Sequence, residues 1–357
     1  MERSERLKGL ETLISAPDVS DIVLQPGACF VARSGSALEP QPAPIWTDDD
    51  IRLWILEALS RDGKTWDARF PFADFLLSPR VRVHVVFPPI SASGLAVSIR
   101  KPALSRTSTP QETWGKTETS ARALQILLDA VRARESIVVA GGTGAGKTTL
   151  LRDLIEACAP SDRIIGIEDV RELWPRHPHF ISLETRPSNA DGCGAITARD
   201  CFRQTLRMRP DRLVLGECRG AEIFDLAQAL STGHRGGFGT VHASSARHAF
   251  QRLELLAALQ SEIRIHQRAF REVLVGAIQW IAFVDRSDKG RVISEIVHIE
   301  GLEGDTVLFR PMLQAKHVRN ANGGAAPLLP CDATFEPHVR DDRYRSMVFS
   351  GSRNRAG

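Results

Sequence analysis

The chain has 357 residues, which is enough for about two domains. With 43% hydrophobic and 25% charged residues, it has the composition of a soluble globular protein. Its 46 basic and 43 acidic residues give a formal net charge of only +3, which excludes a strongly basic chain but allows a local basic patch. A nucleic-acid partner is therefore not expected.

Cysteine usage and hydropathy indicate the compartment. None of the six cysteines forms a CxxC pair, which argues against a zinc site or a disulfide framework and favours a reducing compartment. The N-terminal sequence lacks the apolar stretch of a signal peptide, and the most apolar later stretch, Val273–Val284, is too short to span a bilayer. We therefore expect a cytoplasmic protein that reaches a membrane only through partners.

Residues 1–101 have the pattern of a small mixed α/β domain. Four short strands are predicted there: Asp21–Leu24, Cys29–Ala32, Val81–Val85 and Leu95–Ile99. Thr47, followed by three aspartates, predicts the start of a helix, because its hydroxyl can cap free N–H groups and the acids suit the positive end. The helix should end at Gly63 and bury one face: Ile51, Trp54, Ile55, Ala58 and Leu59.

Residues 102–118 are rich in Pro, Ser and Thr without apolar periodicity, which predicts an interdomain linker. From 119 to 315, helices alternate with apolar strands: Ser136–Ala140, Ile164–Ile167, Phe180–Leu183, Leu213–Leu215 and Gly239–His242. This alternation favours a mostly parallel sheet with helices on both faces. A hairpin of Trp280–Asp285 and Arg291–Glu300 is predicted to close the domain, and residues 316–357 to form a flexible tail.

The segment GGTGAGKTT satisfies the phosphate-loop pattern GxxxxGK(S/T). Its glycines let backbone N–H groups point at phosphate oxygens, and the helix that follows adds its positive end. Lys147 is predicted to neutralise the β and γ phosphates, and the Thr148 hydroxyl to join the shell of a Mg²⁺ ion. A chance glycine-rich turn is the alternative, but the segment lies between a predicted strand and helix, where this chemistry needs it. The sequence therefore predicts a site for ATP and Mg²⁺ made by the whole loop: Gly141, Gly142, Thr143, Gly144, Ala145, Gly146, Lys147, Thr148 and Thr149.

Acidic residues follow two of the predicted strands. Glu168 and Asp169 come after one, in IGIEDVRE, and Glu217 follows another, in RPDRLVLGECRG. The carboxyl ends of parallel strands form the edge at which such sheets bind ligands. Alone, these acids would be interpreted as solvated turns or helix caps. Beside a phosphate loop, they favour one carboxylate that positions water and others that hold hydrated Mg²⁺.

Two further segments allow a structural interpretation as well as a functional one. TGHRGGFGTVHASS has His234 and His242 on either side of a glycine-rich loop. His242 ends an apolar strand, where its imidazole could sense the γ-phosphate by hydrogen bonding. From composition alone, Arg100 in SIRKP is a basic strand end that faces solvent.

Taken together, these segments resemble the type II/IV secretion ATPase superfamily. GGTGAGKTT resembles its Walker A motif, IEDVRE its Asp box, RPDRLVLGECRG its Walker B motif and TGHRGGFGTVHASS its His box. SIRKP resembles the arginine-bearing segment of the family's N-terminal domain. The branch that it resembles most is the CpaF-type ATPases of Tad/Flp pili, through three segments: Val19–Gly35, Ser182–Arg212 and Ile293–Val307. The family's PDGSRV turn departs here to LSPRVRV, and Gly216 stands where most P-loop enzymes have an aspartate.

The resemblance implies a RecA-like P-loop ATPase domain behind a smaller α/β domain. It further implies a homo-oligomeric ring, usually a hexamer, whose ATP hydrolysis drives domain rotations that act on an inner-membrane platform protein.

The resemblance also assigns roles to single residues. Glu168 would be the water-activating base, and Glu217 would hold Mg²⁺ through water, with Asp169 and Thr148 sharing the metal site. His242 would sense the nucleotide, and Arg100 would reach the phosphates from the first domain. Two more residues would belong to the nucleotide site: Arg207 and His234.

Two alternative functions share these motifs. A conjugative DNA-transfer ATPase of the same superfamily would have every P-loop residue named above. A nucleotide-binding module with a structural role would keep the loop without useful hydrolysis, although the intact lysine, threonine and glutamates argue against it.

Overall fold

The computed structural model describes residues 3–33, 37–41, 46–62, 66–78, 81–101, 109–186, 188, 193–260, 267–287 and 290–314. One compact unit, Met1–Val318, contains all of them. The predicted tail, 316–357, and the predicted helix end at Gly63 lie outside the described residues.

The described part of the first domain is built on an antiparallel sheet of six strands: β1 (Val19–Gln25), β2 (Ala28–Arg33), β3 (Glu39–Pro40), β4 (Phe72–Ser78), β5 (Val81–Val86) and β6 (Ala96–Arg100). Their order is β3-β2-β1-β6-β5-β4. The four predicted strands are confirmed. Helices α1 (Arg3–Ser15) and α2 (Asp48–Arg61) pack their apolar residues with those of one sheet face, and the other face carries Arg82, His84, Ser98 and Arg100 on two neighbouring strands.

Helix α2 begins where its sequence predicts. Thr47 accepts a hydrogen bond from the Asp50 backbone N–H at 3.2 Å, and the Asp50 carboxylate accepts from the Thr47 N–H at 3.1 Å. This reciprocal capping box satisfies two N–H groups that the helix itself cannot pair. The predicted apolar face is buried, so the helix is anchored to the first sheet: Ile51, Trp54, Ile55, Ala58 and Leu59.

The predicted linker is partly wrong. A short helix, α3 (Pro110–Trp114), forms within it, and α4 (Glu118–Arg132) begins before its predicted end. Thr109 and Glu112 form another capping box around Pro110, which suits the first turn of a helix. Trp114 is 1% exposed and packs in the core of the second domain. One large buried side chain therefore fixes a segment that its polar composition assigned to a linker.

The second sheet has eight strands among the described residues: β7 (Ile137–Gly141), β8 (Ile164–Glu168), β9 (Phe180–Glu184), β10 (Arg212–Leu215), β11 (Phe238–His242), β12 (Trp280–Ser287), β13 (Gly290–Glu303) and β14 (Thr306–Gln314). Their order is β14-β13-β12-β7-β11-β10-β8-β9. The six neighbouring strands β12, β7, β11, β10, β8 and β9 run parallel, and β13 and β14 extend the sheet beyond β12 as an antiparallel meander. The mostly parallel sheet and the closing hairpin are confirmed.

Helices cover both faces of this sheet. They are α4, already described, and α5 (Lys147–Glu156), α6 (Ala198–Thr205), α7 (Glu222–Ser231), α8 (Ala246–Gln260) and α9 (Gln267–Ala277). Along β7, Val138 packs with residues of α6 to α9, whereas Val139 packs with residues of α4 and α5. A strand buried on both faces needs apolar residues at successive positions, which explains the unbroken run in β7.

The described residues include five cysteines, all of them free thiols: Cys29, Cys158, Cys193, Cys201 and Cys218. In the part of the chain that the structure describes, no helix is both long and apolar enough to cross a membrane.

Candidate nucleotide-binding site

The phosphate loop Gly141–Thr149 joins the carboxyl end of β7 to the start of α5. Gly146 precedes the helix with a φ of 110°, in the left-handed region that favours glycine, and no side chain caps this helix end. The first N–H groups of a helix have no partner within it, and the helix dipole is positive there. The turn is therefore a ready site for an anion.

The loop is packed tightly at its start and open further on. A Cβ on Gly141 would lie 2.5 Å from the carbonyl oxygen of Val284, so only glycine fits where β7 ends beside β12. A Cβ on Gly142 or Gly144 would meet no atom within 4 Å. These two glycines therefore border an open space that phosphates could fill.

Lys147 is buried and folds back over the loop. Its ammonium donates to the carbonyl oxygens of Gly141 and Gly142 at 3.1 and 2.9 Å, and to Nδ1 of His242 at 3.3 Å. Burial is the main cause that lowers the pKa of Lys147, and nearby carboxylates, Glu217 first, oppose it. The lysine is thus held at the loop, where phosphate oxygens could replace the carbonyl groups as acceptors.

His242 links this lysine to Glu217. Because an ammonium group can only donate, Nδ1 of His242 accepts, and Nε2 carries the proton that points to Oε1 of Glu217 at 2.9 Å. Desolvation and the charge of Lys147 lower the pKa of His242, which favours this neutral form. The imidazole therefore has the contacts that a sensor of bound nucleotide would need.

Arg219 joins the two acidic strand ends. Its Nη2 donates to Oε2 of Glu217 at 2.6 Å, and its Nη1 donates to Oδ2 of Asp169 at 2.8 Å. Asp169 also accepts from the Thr185 hydroxyl at 3.1 Å. Arg219 was not among the predicted site residues, although it stands two residues after Glu217 in the same motif. The signal that could have found it is the need of two neighbouring carboxylates for a cation.

Glu168 ends β8 and is only 5% exposed. Its Oε1 accepts from the backbone N–H groups of Glu172 and Leu173 at 2.9 and 3.0 Å, and its Oε2 accepts from the Ser182 hydroxyl at 3.0 Å. Burial raises the pKa of Glu168 to about 7, although these hydrogen bonds favour the charged form. A carboxyl group with a pKa near neutrality is suited to accept a proton at a neutral working pH.

The glycine at position 216 has a structural reason. A Cβ there would lie 2.8 Å from Cγ of Glu168 and 3.4 Å from the carbonyl oxygen of Ile167. The side chain of Glu168 therefore occupies the space that an aspartate at position 216 would need.

Thr148, the predicted metal ligand, faces an acid that the sequence analysis missed. Its hydroxyl lies 3.5 Å from Oε2 of Glu172, and Nη1 of Arg82 lies 3.7 Å from the other carboxylate oxygen. Glu172 belongs to the motif IGIEDVRE, so its spacing from Glu168 was visible. Arg82 belongs to β5 of the first sheet, and only tertiary structure brings it to this edge.

Arg100 ends β6, and the strand register places it beside Arg82 on β5 and Asp21 on β1. Its Nε lies 3.8 Å from Oδ1 of Asp21, and the side chain is 58% exposed. Burial first, and the charge of Arg100 last, lower the pKa of Lys147. Of these two neighbouring arginines, Arg82 also reaches Glu172, which faces Thr148.

The structure does not bring His234 or Arg207 to this loop within the chain. His234 precedes β11 and its backbone N–H donates to the Ala229 carbonyl at the end of α7. Arg207 precedes β10, in a segment whose Met208 carbonyl accepts from Arg163 before β8. Strands β7, β8, β10 and β11 are parallel, so both residues lie at the amino edge of the sheet, opposite the phosphate loop. Within one chain they therefore lie apart from the phosphate loop, and their part in nucleotide binding stays a prediction.

A cavity of about 190 Å³ opens at the carboxyl ends of β8 and β10, lined by Ile167, Glu168, Asp169, Ala198, Leu215, Glu217, Arg219, Gly220 and Glu222. Among the described residues, no three His, Cys, Asp or Glu side chains are arranged to enclose a metal ion. Mg²⁺ is usually held by substrate phosphates, water and only one or two protein groups. The Thr148 hydroxyl and the acidic edge fit an ion held in that way.

These features together define a class of protein. A parallel sheet with helices on both faces, a phosphate loop after an inner strand and carboxylates at the same edge are the features of a RecA-like P-loop ATPase.

Comparison with known proteins gives the family. The sequence model described as "Type II/IV secretion system protein" matches residues 64–273, more than half of the chain. A Mycobacterium tuberculosis protein named after conjugal transfer is 37% identical over 304 residues, which cover 83% of this chain and 85% of that protein. "Type IV secretion system protein VirB11" of Brucella suis is 31% identical over 322 residues, which cover 81% of this chain and 88% of that protein. The chain therefore belongs to the type II/IV secretion system protein family.

A solved structure shares the fold. The crystal structure of the pilus retraction motor PilT with bound ADP matches with a TM-score of 0.56 and 21% sequence identity, and covers 87% of this chain and 83% of that one. The predicted architecture, a RecA-like ATPase domain behind a smaller α/β domain, is confirmed. The predicted class, an ATPase of the secretion family, is confirmed as well. The relatives support this family and not its CpaF-type branch in particular.

Proposed function

We propose that this chain binds ATP and Mg²⁺ at Gly141–Thr149 and hydrolyses ATP to ADP and phosphate. The observation that carries the proposal is a continuous set of contacts between the phosphate loop and the acidic edge, from Lys147 through His242, Glu217 and Arg219 to Asp169. A loop that only held a nucleotide would need no histidine and carboxylates linked to its lysine.

The contacts support roles for Lys147, for the metal-binding residues and for Glu168. Lys147 would exchange the loop carbonyl groups for oxygens of the β and γ phosphates, whose charge it offsets. Thr148, with Glu217 and Asp169 nearby, would hold Mg²⁺, which neutralises phosphate charge when bound. Glu168 would accept a proton from the attacking water, since its pKa is near neutral and three donors keep its carboxylate in place.

We propose that the first domain takes part in the cycle. Arg82 and Arg100 lie side by side on the sheet face away from α1 and α2, and Arg82 already reaches Glu172, which faces Thr148. A guanidinium group can engage two phosphate oxygens and stays charged at any working pH. A change at the phosphates could therefore move the first sheet, which is what a motor requires.

We also propose a homo-oligomeric, hexameric ring that works from the cytoplasmic side of the inner membrane through a platform protein of its machine. Family membership supports this arrangement. His234 and Arg207 lie at the far edge of the sheet from the loop of their own chain, so in a ring they could serve only the nucleotide of another subunit.

The machine itself has two candidates. Relatives named after conjugal transfer and type IV secretion favour a type IV secretion machine. The Tad/Flp pilus remains a proposal supported by three sequence segments, 19–35, 182–212 and 293–307. The near-neutral charge favours a protein cargo over nucleic acid.

Phosphate release by the purified chain tests the enzymatic proposal. Glu217→Gln should still bind ATP but turn it over about a hundredfold more slowly, because it removes a charge near the metal and the phosphates. Arg132→Gln is the control, since Arg132 is 63% exposed and pairs with Asp129 on α4. A wild-type chain that binds ATP and releases no phosphate in the presence of Mg²⁺ would indicate a structural module instead.

A second measurement tests whether the cargo is nucleic acid or protein. A DNA-transfer ATPase should be stimulated by single-stranded oligonucleotide, with a steep loss of stimulation as salt rises, because phosphate contacts release counterions. We expect no such stimulation. Salt-sensitive stimulation would contradict the assignment of a protein cargo.

A further inference from the structure

Arg291, near the start of β13, packs against the end of the phosphate loop. Its Nη1 donates to the Thr149 hydroxyl at 2.9 Å. A Cβ on Gly146 would lie 2.7 Å from Cδ and 3.2 Å from Nε of Arg291, so the arginine stem packs directly on the glycine that precedes α5. One side chain therefore contacts the loop at its last glycine and at the first turn of its helix.

Trp114 completes this support from α3. Its Cη2 would lie 3.3 Å from a Cβ on Gly146, and its Nε1 donates to Oδ2 of the buried Asp153 on α5 at 2.7 Å. The Gly146 turn is thus held by an arginine from the closing hairpin and by a tryptophan from the short helix. Substitution of the glycine would displace one of them.

Phosphates would bind at the open part of the loop. Gly142 and Gly144 border open space there, and Lys147 lies across the loop carbonyl groups. The hydrogen bond to Thr149 fixes a residue in the first turn of α5, the turn whose N–H groups would meet the phosphates. Without that bond, the Thr149 hydroxyl could instead turn back to a carbonyl of the preceding turn, a contact that bends helices.

We propose that Arg291 is a positioning residue for nucleotide binding, which holds the Gly146 turn and Thr149 so that the loop N–H groups stay directed at the phosphates. This inference rests on the proposed function of the loop. The same N–H groups meet the phosphates in the ground state and in the transition state. Loss of Arg291 therefore weakens binding of ADP and ATP alike and leaves the chemical step nearly unchanged.

The test compares Arg291→Ala and Arg291→Lys with the wild-type full-length chain. ADP affinity is measured by calorimetry, and KM and kcat are measured from phosphate release. Arg291→Ala should raise the Kd for ADP and the KM for ATP about tenfold or more, the effect of one lost hydrogen bond from a charged group, with kcat within about twofold of wild type. Arg291→Lys should have Kd and KM values between those of the wild type and Arg291→Ala, because lysine keeps the charge but not the planar guanidinium group.

Arg310→Ala is the matched control. Arg310 lies on β14 in the same meander, pairs with Glu300, and is in register with His298 near the amino edge of the sheet. The Arg310→Ala variant should bind ADP as tightly as the wild type does. Thr149→Val removes only the hydroxyl that Arg291 contacts, so it should reproduce the weaker ADP binding even if Arg291→Ala folds poorly.

The outcomes separate this inference from the function on which it rests. A wild-type chain that binds no ADP refutes both. Wild-type binding together with unchanged ADP affinity in Arg291→Ala, or in Thr149→Val where the arginine variant does not fold, overturns the role of Arg291 alone. A loss of kcat at unchanged KM also overturns it, because it would mean that the arginine acts only in the transition state.

Discussion

Replacement of Glu168 by glutamine should make the protein more stable at neutral and alkaline pH and less active. The amide fits the same contacts. Its oxygen can accept from the N–H groups of Glu172 and Leu173, and its NH₂ group can donate to the Ser182 oxygen that now lies 3.0 Å from Oε2. The substitution therefore removes the charge of a carboxylate that is 5% exposed and little else.

The size of the effect follows from the pKa. Burial raises the pKa of Glu168 from 4.5 to about 7. At about 1.4 kcal/mol per unit, this corresponds to about 3 kcal/mol. The pKa of Glu168 is higher in the folded state than in the unfolded state. The free energy of unfolding is therefore highest below about pH 4.5, and about 3 kcal/mol of it is lost as pH rises through about 7. Glutamine mimics the protonated carboxyl group, so the variant does not lose this free energy of unfolding as pH rises.

Urea unfolding at pH 5 and pH 8, without nucleotide and with a chelator, measures the difference. The variant should be more stable than the wild type by less than about 1 kcal/mol at pH 5 and by about 3 kcal/mol at pH 8. ATP turnover by the variant should fall about a hundredfold, with ADP binding retained. Glu272→Gln, at an exposed site paired with Arg268, is the control and should change neither quantity.

Two results would refute this reasoning. If the wild type and Glu168→Gln lose stability equally between pH 5 and pH 8, the carboxyl group does not have a raised pKa. If the variant is stabilised and still hydrolyses ATP at the wild-type rate, Glu168 is not the base, and Glu217 becomes the candidate.

Substitutions at three other positions test the phosphate loop and the first domain. Lys147→Ala should keep less than about a tenth of wild-type turnover and bind ATP weakly, because it removes the main positive charge on the β and γ phosphates; higher turnover would contradict the P-loop assignment. Arg100→Ala and Arg100→Lys should bind ADP normally and lose turnover, with alanine worse, up to about a thousandfold for an arginine finger; wild-type rates in both would make Arg100 a solvated strand end. Gly146→Ala should lower the free energy of unfolding by about 1–3 kcal/mol and weaken ADP binding, because the φ of 110° at Gly146 and the close Arg291 stem exclude a side chain. An unchanged free energy of unfolding would show that the turn can relax.

Local patterns determined much of this protein. The phosphate loop, the capped start of α2 at Thr47 and the apolar strands of the second sheet were predictable, because each depends on residues close together in the chain. The carboxyl ends of parallel strands share one edge, so the grouping of Glu168, Asp169 and Glu217 was predictable too. The same pattern of motifs predicted the family that the comparisons show.

Residues misplaced or missed by the sequence analysis depend on contacts between distant segments. Composition assigned residues 102–118 to a linker. Part of this segment instead forms a helix, because Trp114 packs in the core and donates to Asp153 on α5. His234 lies near His242 in sequence, yet β11 runs between them and carries them to opposite edges of the sheet.

The remaining parts of the site depend on packing alone. Arg82 reaches Glu172 because the first sheet lies over the carboxyl edge of the second, and Arg291 reaches Thr149 because the closing hairpin pairs beside β7. Both contacts join residues at least 90 positions apart. A sequence specifies its helices and turns through neighbours a few residues away, whereas a partner that distant is chosen by strand order and register, which arise only when the whole core packs.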